Sequence, residues 1–75
     1  MRNVQDLNDK QLLDLVSVDV FYIKGDEIIQ SRVNSVARGF IFTATGDTII
    51  QYSLNERVVQ QWVEKENLLS KCLNP

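Results

Sequence analysis

The apolar residues of this chain follow three successive patterns: helical, then strand-like, then helical again. In the first segment, apolar residues recur at the spacing of one helical face: Leu12, Leu15 and Val16. Asn8 before them is a favourable N-cap residue, and Gln11 stands three residues later, where it can complete an approximate capping box. The pattern predicts a short N-terminal helix over about residues 7–16, and an earlier start near Val4 is also compatible with it.

Between the two helical segments, short runs of β-branched and aromatic residues alternate with turns at Gly25, Gly39 and Gly46. The first run is apolar on both faces, which favours a central strand. The pattern predicts an antiparallel meander of four strands, at about residues 18–24, 28–36, 40–45 and 48–54.

One motif occurs twice, as Gly25-Asp26-Glu27-Ile28-Ile29-Gln30 and as Gly46-Asp47-Thr48-Ile49-Ile50-Gln51. The simplest interpretation is that two hairpins share turn chemistry, with Gly for positive φ and Asp for local side-chain bonding, rather than a duplicated ligand site. The repeat also predicts which side chains share a face. If Phe42 points inward, its equivalent Phe21 should do so too, together with these residues: Ile29, Val33, Ile50, Tyr52 and Leu54.

The last segment has two interpretations. Its apolar residues lie on one helical face: Val58, Val59, Trp62, Val63, Leu69, Cys72 and Leu73. Residues with capping chemistry or spacing precede them: Ser53, Asn55 and Glu56. These signals predict an amphipathic C-terminal helix over about residues 56–73. Alternatively, residues 57–60 form a short fifth strand, because Val-Val suits a strand, and the helix begins near Trp62.

The 75 residues therefore predict one α+β domain: a short helix, a four- to five-stranded meander in the form of an SH3- or Sm-like barrel or a bent sheet, and a second helix. A core of this size supplies only about 3–5 kcal/mol of stability. Oligomerisation or partner binding is the usual supplement, so we expect a homo-oligomer or a partner.

Residue types that carry catalysis and metal binding are scarce. The chain has no histidine and one cysteine, Cys72, which we interpret as a small buried hydrophobe rather than a reactive thiol. Without histidine, a nucleophile would need a carboxylate or lysine as its base. The three glycines are all assigned to turns, and none forms a phosphate-binding loop. We therefore predict a protein that is not an enzyme and uses no cofactor or metal.

Charge and cysteine content suggest a location and limit the partners. The net charge is −2 and the pI about 4.9, which argues against binding nucleic acid through bulk electrostatics but not against a local basic patch. A lone thiol suits a reducing compartment. The first residues lack the apolar run of a signal peptide, and the longest apolar block, residues 20–23, is far too short for a membrane span. We expect a cytoplasmic protein without membrane association.

The order of helix and meander resembles the Sm-like family, especially the bacterial RNA chaperone Hfq. Val18-Asp19-Val20-Phe21-Tyr22-Ile23-Lys24-Gly25 is similar to that family's first strand and its Gly-ended turn, and Asn3-Val4-Gln5-Asp6 resembles its Gln-Asp start. Val33-Asn34-Ser35-Val36 and Phe40 resemble the second strand, the next turn and the aromatic residue that stacks on uracil. Tyr52 matches the tyrosine of the Tyr-Lys-His motif, whose Lys-His pair is replaced here by Ser53-Leu54.

The resemblance implies a ring, usually a hexamer, closed by pairing of the fourth and fifth strands of neighbouring subunits. It also implies single-stranded RNA held on the ring faces by Gln5 and Phe40. From the residues themselves, Arg38 and Lys24, together with Arg32, could add a small basic patch. The alternative for these three cations is that they are solvated charges at hairpin ends.

A second hypothesis makes the chain a small acidic protein-binding module, such as an adaptor or a phage-type inhibitor of a host protein. Trp62 is most simply a core residue that packs the helix on the sheet, but a partly exposed Trp62 would be a natural hot spot for the partner. An acidic surface can mimic nucleic acid or dock on a basic partner. A third possibility is a structural homo-oligomer that pairs through an exposed sheet edge.

Overall fold

The computed structural model describes residues 1–73, with side chains described through Glu66. A curled, four-stranded antiparallel sheet forms a half-barrel with two helices, so the predicted α+β class is confirmed. The elements follow in this order: β1 (Arg2–Asn3), a 3-10 turn (Val4–Asp6), α1 (Asp9–Asp14), β2 (Asp19–Lys24), β3 (Glu27–Ala37), β4 (Phe40–Thr43), β5 (Thr48–Ile49), β6 (Gln51–Tyr52) and α2 (Glu56–Leu73).

Helix α1 is shorter than the predicted span because both of its ends are fixed. At its start, Asn8 Oδ1 accepts a hydrogen bond from the Gln11 N–H at 2.8 Å, and Gln11 Oε1 accepts one from the Asn8 N–H at 2.9 Å. This reciprocal pair is the capping box. After the helix, Ser17 takes a positive φ of 72° and its N–H bonds to the Val33 carbonyl at 2.8 Å, which turns the chain into β2.

Strand β3 is long enough to serve two neighbours. Along its first half it pairs with β2, from Glu27 opposite Lys24 to Arg32 opposite Asp19. Its second half pairs with β4, after a register shift between Val33 and Ser35. A bulge of this kind bends the strand and increases its twist, and the sheet therefore curls at this point.

The predicted fourth strand is interrupted at Ile50, which separates β5 from β6. The Ile50 carbonyl accepts a hydrogen bond from the Val4 N–H at 2.8 Å, and β6 then pairs with β1, a strand that the sequence pattern does not predict. Farther along, Ser53 and Phe21 exchange two backbone hydrogen bonds of 2.8 and 2.9 Å. These bonds bring the end of the meander back to β2.

The core lies inside the curl and includes nine buried apolar residues: Val4, Leu12, Leu15, Val20, Tyr22, Val33, Ile41, Ile49 and Tyr52. The facing predicted from the repeat is wrong for Phe42, Ile50 and Leu54, whose side chains are exposed. Ile41 and Ile49 pair with each other and point inward instead. The interruption at Ile50 then shifts the alternation by one residue, so that Tyr52 points inward as well.

Residues 57–60 belong to the first turns of α2 and not to a fifth strand. Asn55 caps this helix, since its Oδ1 accepts the Arg57 N–H at 2.9 Å. Val59 is fully buried against the sheet, whereas Val58 and Trp62 are each 37% exposed. The predicted burial of Cys72, like the positions of the Leu69 and Leu73 side chains, lies outside the residues whose side chains are described.

Candidate functional site

Three of the four residues predicted to contact RNA line one open cleft, of about 520 Å³. They are Gln5, Arg38 and Phe40, and the cleft is completed by Asn3, Gly39 and Ile50. We call it the Phe40 cleft. Its walls come from three segments that are far apart in the sequence, so the fold itself brings these residues together.

Each wall of the Phe40 cleft is positioned by a buried neighbour or by a turn. Gln5 follows Val4, which is fully buried and hydrogen-bonded to Ile50, so the 3-10 turn is fixed on the sheet. Arg38 and Gly39 form the turn between β3 and β4, where Gly39 takes a φ of +85°. Phe40 opens β4 opposite Ala37 and stands on the outer face, because Ile41 takes the inward position.

The Phe40 cleft combines apolar surface with hydrogen-bond donors. The Phe40 ring is 46% exposed and the Ile50 side chain 62% exposed. Among the described residues that line the cleft, Arg38 is the one that is ionisable. Asn3 is held in place by a hydrogen bond of 2.8 Å from Gln51 Nε2 to its Oδ1. An exposed ring beside amide and guanidinium groups can stack an unpaired base and hydrogen-bond its edge.

Lys24, the fourth predicted RNA contact, is not part of the Phe40 cleft. Its Nζ lies 2.8 Å from Asp47 Oδ1. Strand β3 separates it from Arg38, because Lys24 pairs with Glu27 at one end of this strand and Arg38 follows its other end. Ten residue steps along a strand cover roughly 33 Å of chain. Lys24 and Arg38 therefore stand at opposite ends of β3, and Arg32 of the predicted basic patch lies between them on this strand.

Asp47 is the centre of a polar network that the sequence did not reveal. The buried Tyr22 hydroxyl donates to Asp47 Oδ2 at 2.5 Å and lies 2.6 Å from Thr45 Oγ1. Thr45 Oγ1 also donates to Asp47 Oδ2 at 3.0 Å, and the Asp47 N–H donates to Thr43 Oγ1 at 3.0 Å. With Lys24 as counter-ion, this network fastens the β4–β5 loop to β2. Because its polar groups bind one another, we interpret the network as stabilising the fold.

The network holds the Asp47 carboxyl in its charged form. Hydrogen bonds from Lys24, and then from Tyr22, lower the pKa of Asp47 from 3.8 to about 2. In the repeated motif Asp26 occupies the equivalent turn position, yet it is exposed and makes no hydrogen bond with the residues described. One signal in the sequence separates the two. Threonines at positions 43 and 45 precede Asp47, whereas Tyr22 and Lys24 stand at the equivalent positions before Asp26.

The lowered pKa of Asp47 predicts a loss of stability in acid. Between pH 4 and pH 2, Asp47 binds a proton more readily in the unfolded chain than in the folded chain. The stabilisation that comes from the charged carboxylate is therefore present above about pH 4 and is lost as the pH falls toward 2. The free energy of unfolding, measured with urea, should therefore fall more steeply over this pH range for the wild type than for Asp47→Asn. Asp26→Asn is the matched control and should keep the wild-type steepness. Equal pH dependence in the wild type and Asp47→Asn would contradict the prediction.

Trp62 lies on a second exposed surface, between two clefts. One cleft, of about 440 Å³, is lined by Ile23, Gly25, Asp26, Trp62, Val63 and Glu66. The other, of about 250 Å³, is lined by Met1, Ile23, residues 48–51 and Trp62. Ile23 and Trp62 border both clefts, and together they form an apolar ridge between β2 and α2. The structure therefore leaves Trp62 partly accessible, as the module hypothesis requires.

Comparison of the chain with protein-family models, with curated proteins and with solved structures gives no match. The Sm-like resemblance therefore remains a prediction, and the functional proposals rest on the geometry of the two surfaces. In the part of the chain whose side chains are described, no group of three or more cysteine and carboxylate residues is placed to hold a metal ion. Neither helix, within residues 1–73, has the length and apolar character needed to cross a bilayer.

Proposed function

We propose that this protein is a non-enzymatic, Sm-like RNA-binding protein that holds single-stranded RNA in the Phe40 cleft. The observation that supports this most directly is the convergence of Gln5, Arg38 and Phe40. Gln5 lies in the 3-10 turn, whereas Arg38 and Phe40 flank Gly39 in the β3–β4 turn, so the fold joins two segments that are distant along the chain. A cleft with an exposed ring at this position is what stacking of an unpaired base requires.

Each group of the cleft contacts a different part of the bound nucleotide. The Phe40 ring stacks the base, and Ile50 covers its edge with apolar surface. The Gln5 amide hydrogen-bonds the base edge, and the Arg38 guanidinium binds a phosphate. Because Arg38 is the one cation among the described residues of the cleft, we expect few counterions to be released on binding. The affinity should therefore depend only weakly on salt, with a logarithmic slope of about −0.7 per phosphate contacted.

Assembly into a ring belongs to the same proposal. The half-barrel with its interrupted last strand is compatible with a small Sm-like barrel, and a core of nine described apolar residues is thin for an independent domain. Pairing of strands between subunits would extend that core and produce several equivalent RNA sites around the ring. We assign the protein to the cytoplasm, since a lone thiol suits a reducing compartment.

The test combines affinity with mass. Fluorescence anisotropy with a labelled oligouridine of about ten nucleotides should show saturable binding, and a duplex of the same length should bind far more weakly, because its bases are stacked in the helix. Light scattering should give about 52 kDa for a hexamer of 8.6-kDa chains. A monomer or dimer in solution would contradict the proposed ring. Equal affinity for the duplex and the single strand would contradict recognition by base stacking.

A second candidate function is supported by the surface around Trp62. Exposed apolar side chains extend from the Trp62 ridge to a further cleft, of about 280 Å³, lined in part by Leu54 and Val58. A partly exposed tryptophan beside clefts is the common form of a protein-binding hot spot. We therefore propose, as the alternative, that the chain is a small acidic protein-binding module, such as an adaptor or a phage-type inhibitor.

A further inference from the structure

We propose that the larger cleft beside Trp62 binds arginine side chains of a basic partner protein. This inference rests on the second proposed function, the protein-binding module, and names the chemistry of its partner. We call the cleft the Trp62 cleft; it is the one lined by Ile23, Gly25, Asp26, Trp62, Val63 and Glu66.

The Trp62 cleft combines apolar residues with acidic groups that come from two elements. Ile23, near the end of β2, lines it together with Trp62 and Val63 of α2. Asp26 belongs to the β2–β3 turn, and Glu66 stands one helical turn after Trp62 on α2. Both carboxylates are exposed, and the described residues donate no hydrogen bond to either side chain.

Among the residues described through Glu66, the charge of the cleft is of one sign. The two ionisable residues of this part of the chain that line it are carboxylates, and the exposed Glu27 adds a third beside Asp26. Lys24 is the nearest cation on the same hairpin, and its ammonium group is bound to Asp47 at 2.8 Å. Lys65 precedes Glu66 on α2 but does not line the cleft. A cationic partner is thus favoured, and the phosphates of RNA are repelled.

Arginine fits these groups better than lysine does. Its planar guanidinium stacks on the face of an indole, where a cation–π interaction adds to the contact. Its five donors can reach carboxylates on both sides of the cleft, whereas lysine presents a compact point charge. The three methylenes of arginine can lie against the floor formed by Ile23 and Val63.

The intrinsic fluorescence of Trp62 provides the measurement, because it is the only tryptophan in the chain. We would titrate the protein with tetra-arginine, tetra-lysine and tetra-glutamate peptides. The expected result is a saturable change in emission with tetra-arginine, at least threefold weaker binding of tetra-lysine, and no response to tetra-glutamate.

Substitutions of exposed side chains locate the site without endangering the fold. Asp26→Asn and Glu66→Gln should each weaken binding of tetra-arginine fivefold or more. Glu64→Gln is the matched control, since Glu64 is an exposed carboxylate on the same helix that does not line the cleft. It should leave the affinity within twofold of the wild type. Equal losses in all three variants, or equal affinity for the lysine and arginine peptides, would overturn the proposal in favour of general charge attraction.

Failure of this inference can be told apart from failure of the module function. A lysate protein that immobilised wild type retains, and that Trp62→Ala loses, would leave the module standing even if arginine peptides gave no response, and would overturn the arginine assignment alone. The lack of any such protein together with no peptide response would overturn both. A dimer of about 17 kDa that Trp62→Ala dissociates would show that a second copy occupies the cleft, and would overturn the inference as well.

Discussion

Replacing Phe40 by alanine is expected to weaken binding of single-stranded RNA about 5- to 150-fold. Stacking of one base on an aromatic side chain is worth about 1–3 kcal/mol, and alanine removes the ring without filling its place. Since the Phe40 side chain is 46% exposed and lies outside the core, the fold should survive the change. Anisotropy with the labelled oligouridine measures the affinity, and circular dichroism checks that the secondary structure is retained.

Phe42 supplies a matched control for this prediction. It lies two residues along the same strand, on the same outer face, and is 36% exposed, but it does not line the Phe40 cleft. Phe42→Ala should therefore leave the RNA affinity within about twofold, because no base stacks on it. Equal losses from the two substitutions would mean that RNA recognises exposed apolar surface in general, and the assignment of the cleft would then be wrong.

Replacing Tyr22 by phenylalanine is expected to lower the free energy of unfolding by about 1–3 kcal/mol. The substitution removes a buried hydroxyl that donates to a carboxylate, and hydrogen bonds to charged groups are at the upper end of the usual range. For a domain of this size each kcal/mol corresponds to roughly 4–8 °C in Tm. Thermal and urea unfolding both measure the loss, which is a large fraction of the few kcal/mol expected in total.

Tyr52 gives the comparison for Tyr22. It is equally buried, with 1% of its surface exposed, but its hydroxyl forms no hydrogen bond with the residues described. Tyr52→Phe should cost less than about 0.5 kcal/mol, because the hydroxyl that it removes forms no hydrogen bond within the described part of the chain. A similar loss of stability in both variants would show that the Asp47 network is not what stabilises the β4–β5 loop.

Features encoded within a few residues were predictable from the sequence. Asn8 and Gln11 form their capping box through side chains three positions apart, so local spacing was sufficient. Gly25, Gly39 and Gly46 all take positive φ, as the turn chemistry required. The α+β class followed from the change in apolar spacing, which depends on which residues need burial and not on their exact partners.

Features that depend on partners far away in the sequence were missed. The inward-facing set was assigned one residue out of phase on β4 and at Ile50, because alternation does not say which of Ile41 and Phe42 finds the core. The ion pair of Lys24 was not predictable from local spacing, since its partner Asp47 is 23 positions later. In the Phe40 cleft, Gln5 and Phe40 came from a family resemblance, whereas Asn3 and Ile50 required knowledge of the β1–β6 pairing.

The pairing of β1 with β6 also has a kinetic consequence. Asn3 and Gln51 are joined over 48 positions of the sequence, so one wall of the Phe40 cleft depends on a contact of very high contact order. Closing so long a loop costs conformational entropy, and this cost is smaller once the intervening hairpins have formed. The β1–β6 pairing is therefore expected to form late in folding. On the ribosome, the Phe40 cleft cannot form until β6 has left the exit tunnel. In the mature protein, the same short strand is the first segment expected to open, which links exchange of its amide hydrogens to occupancy of the cleft.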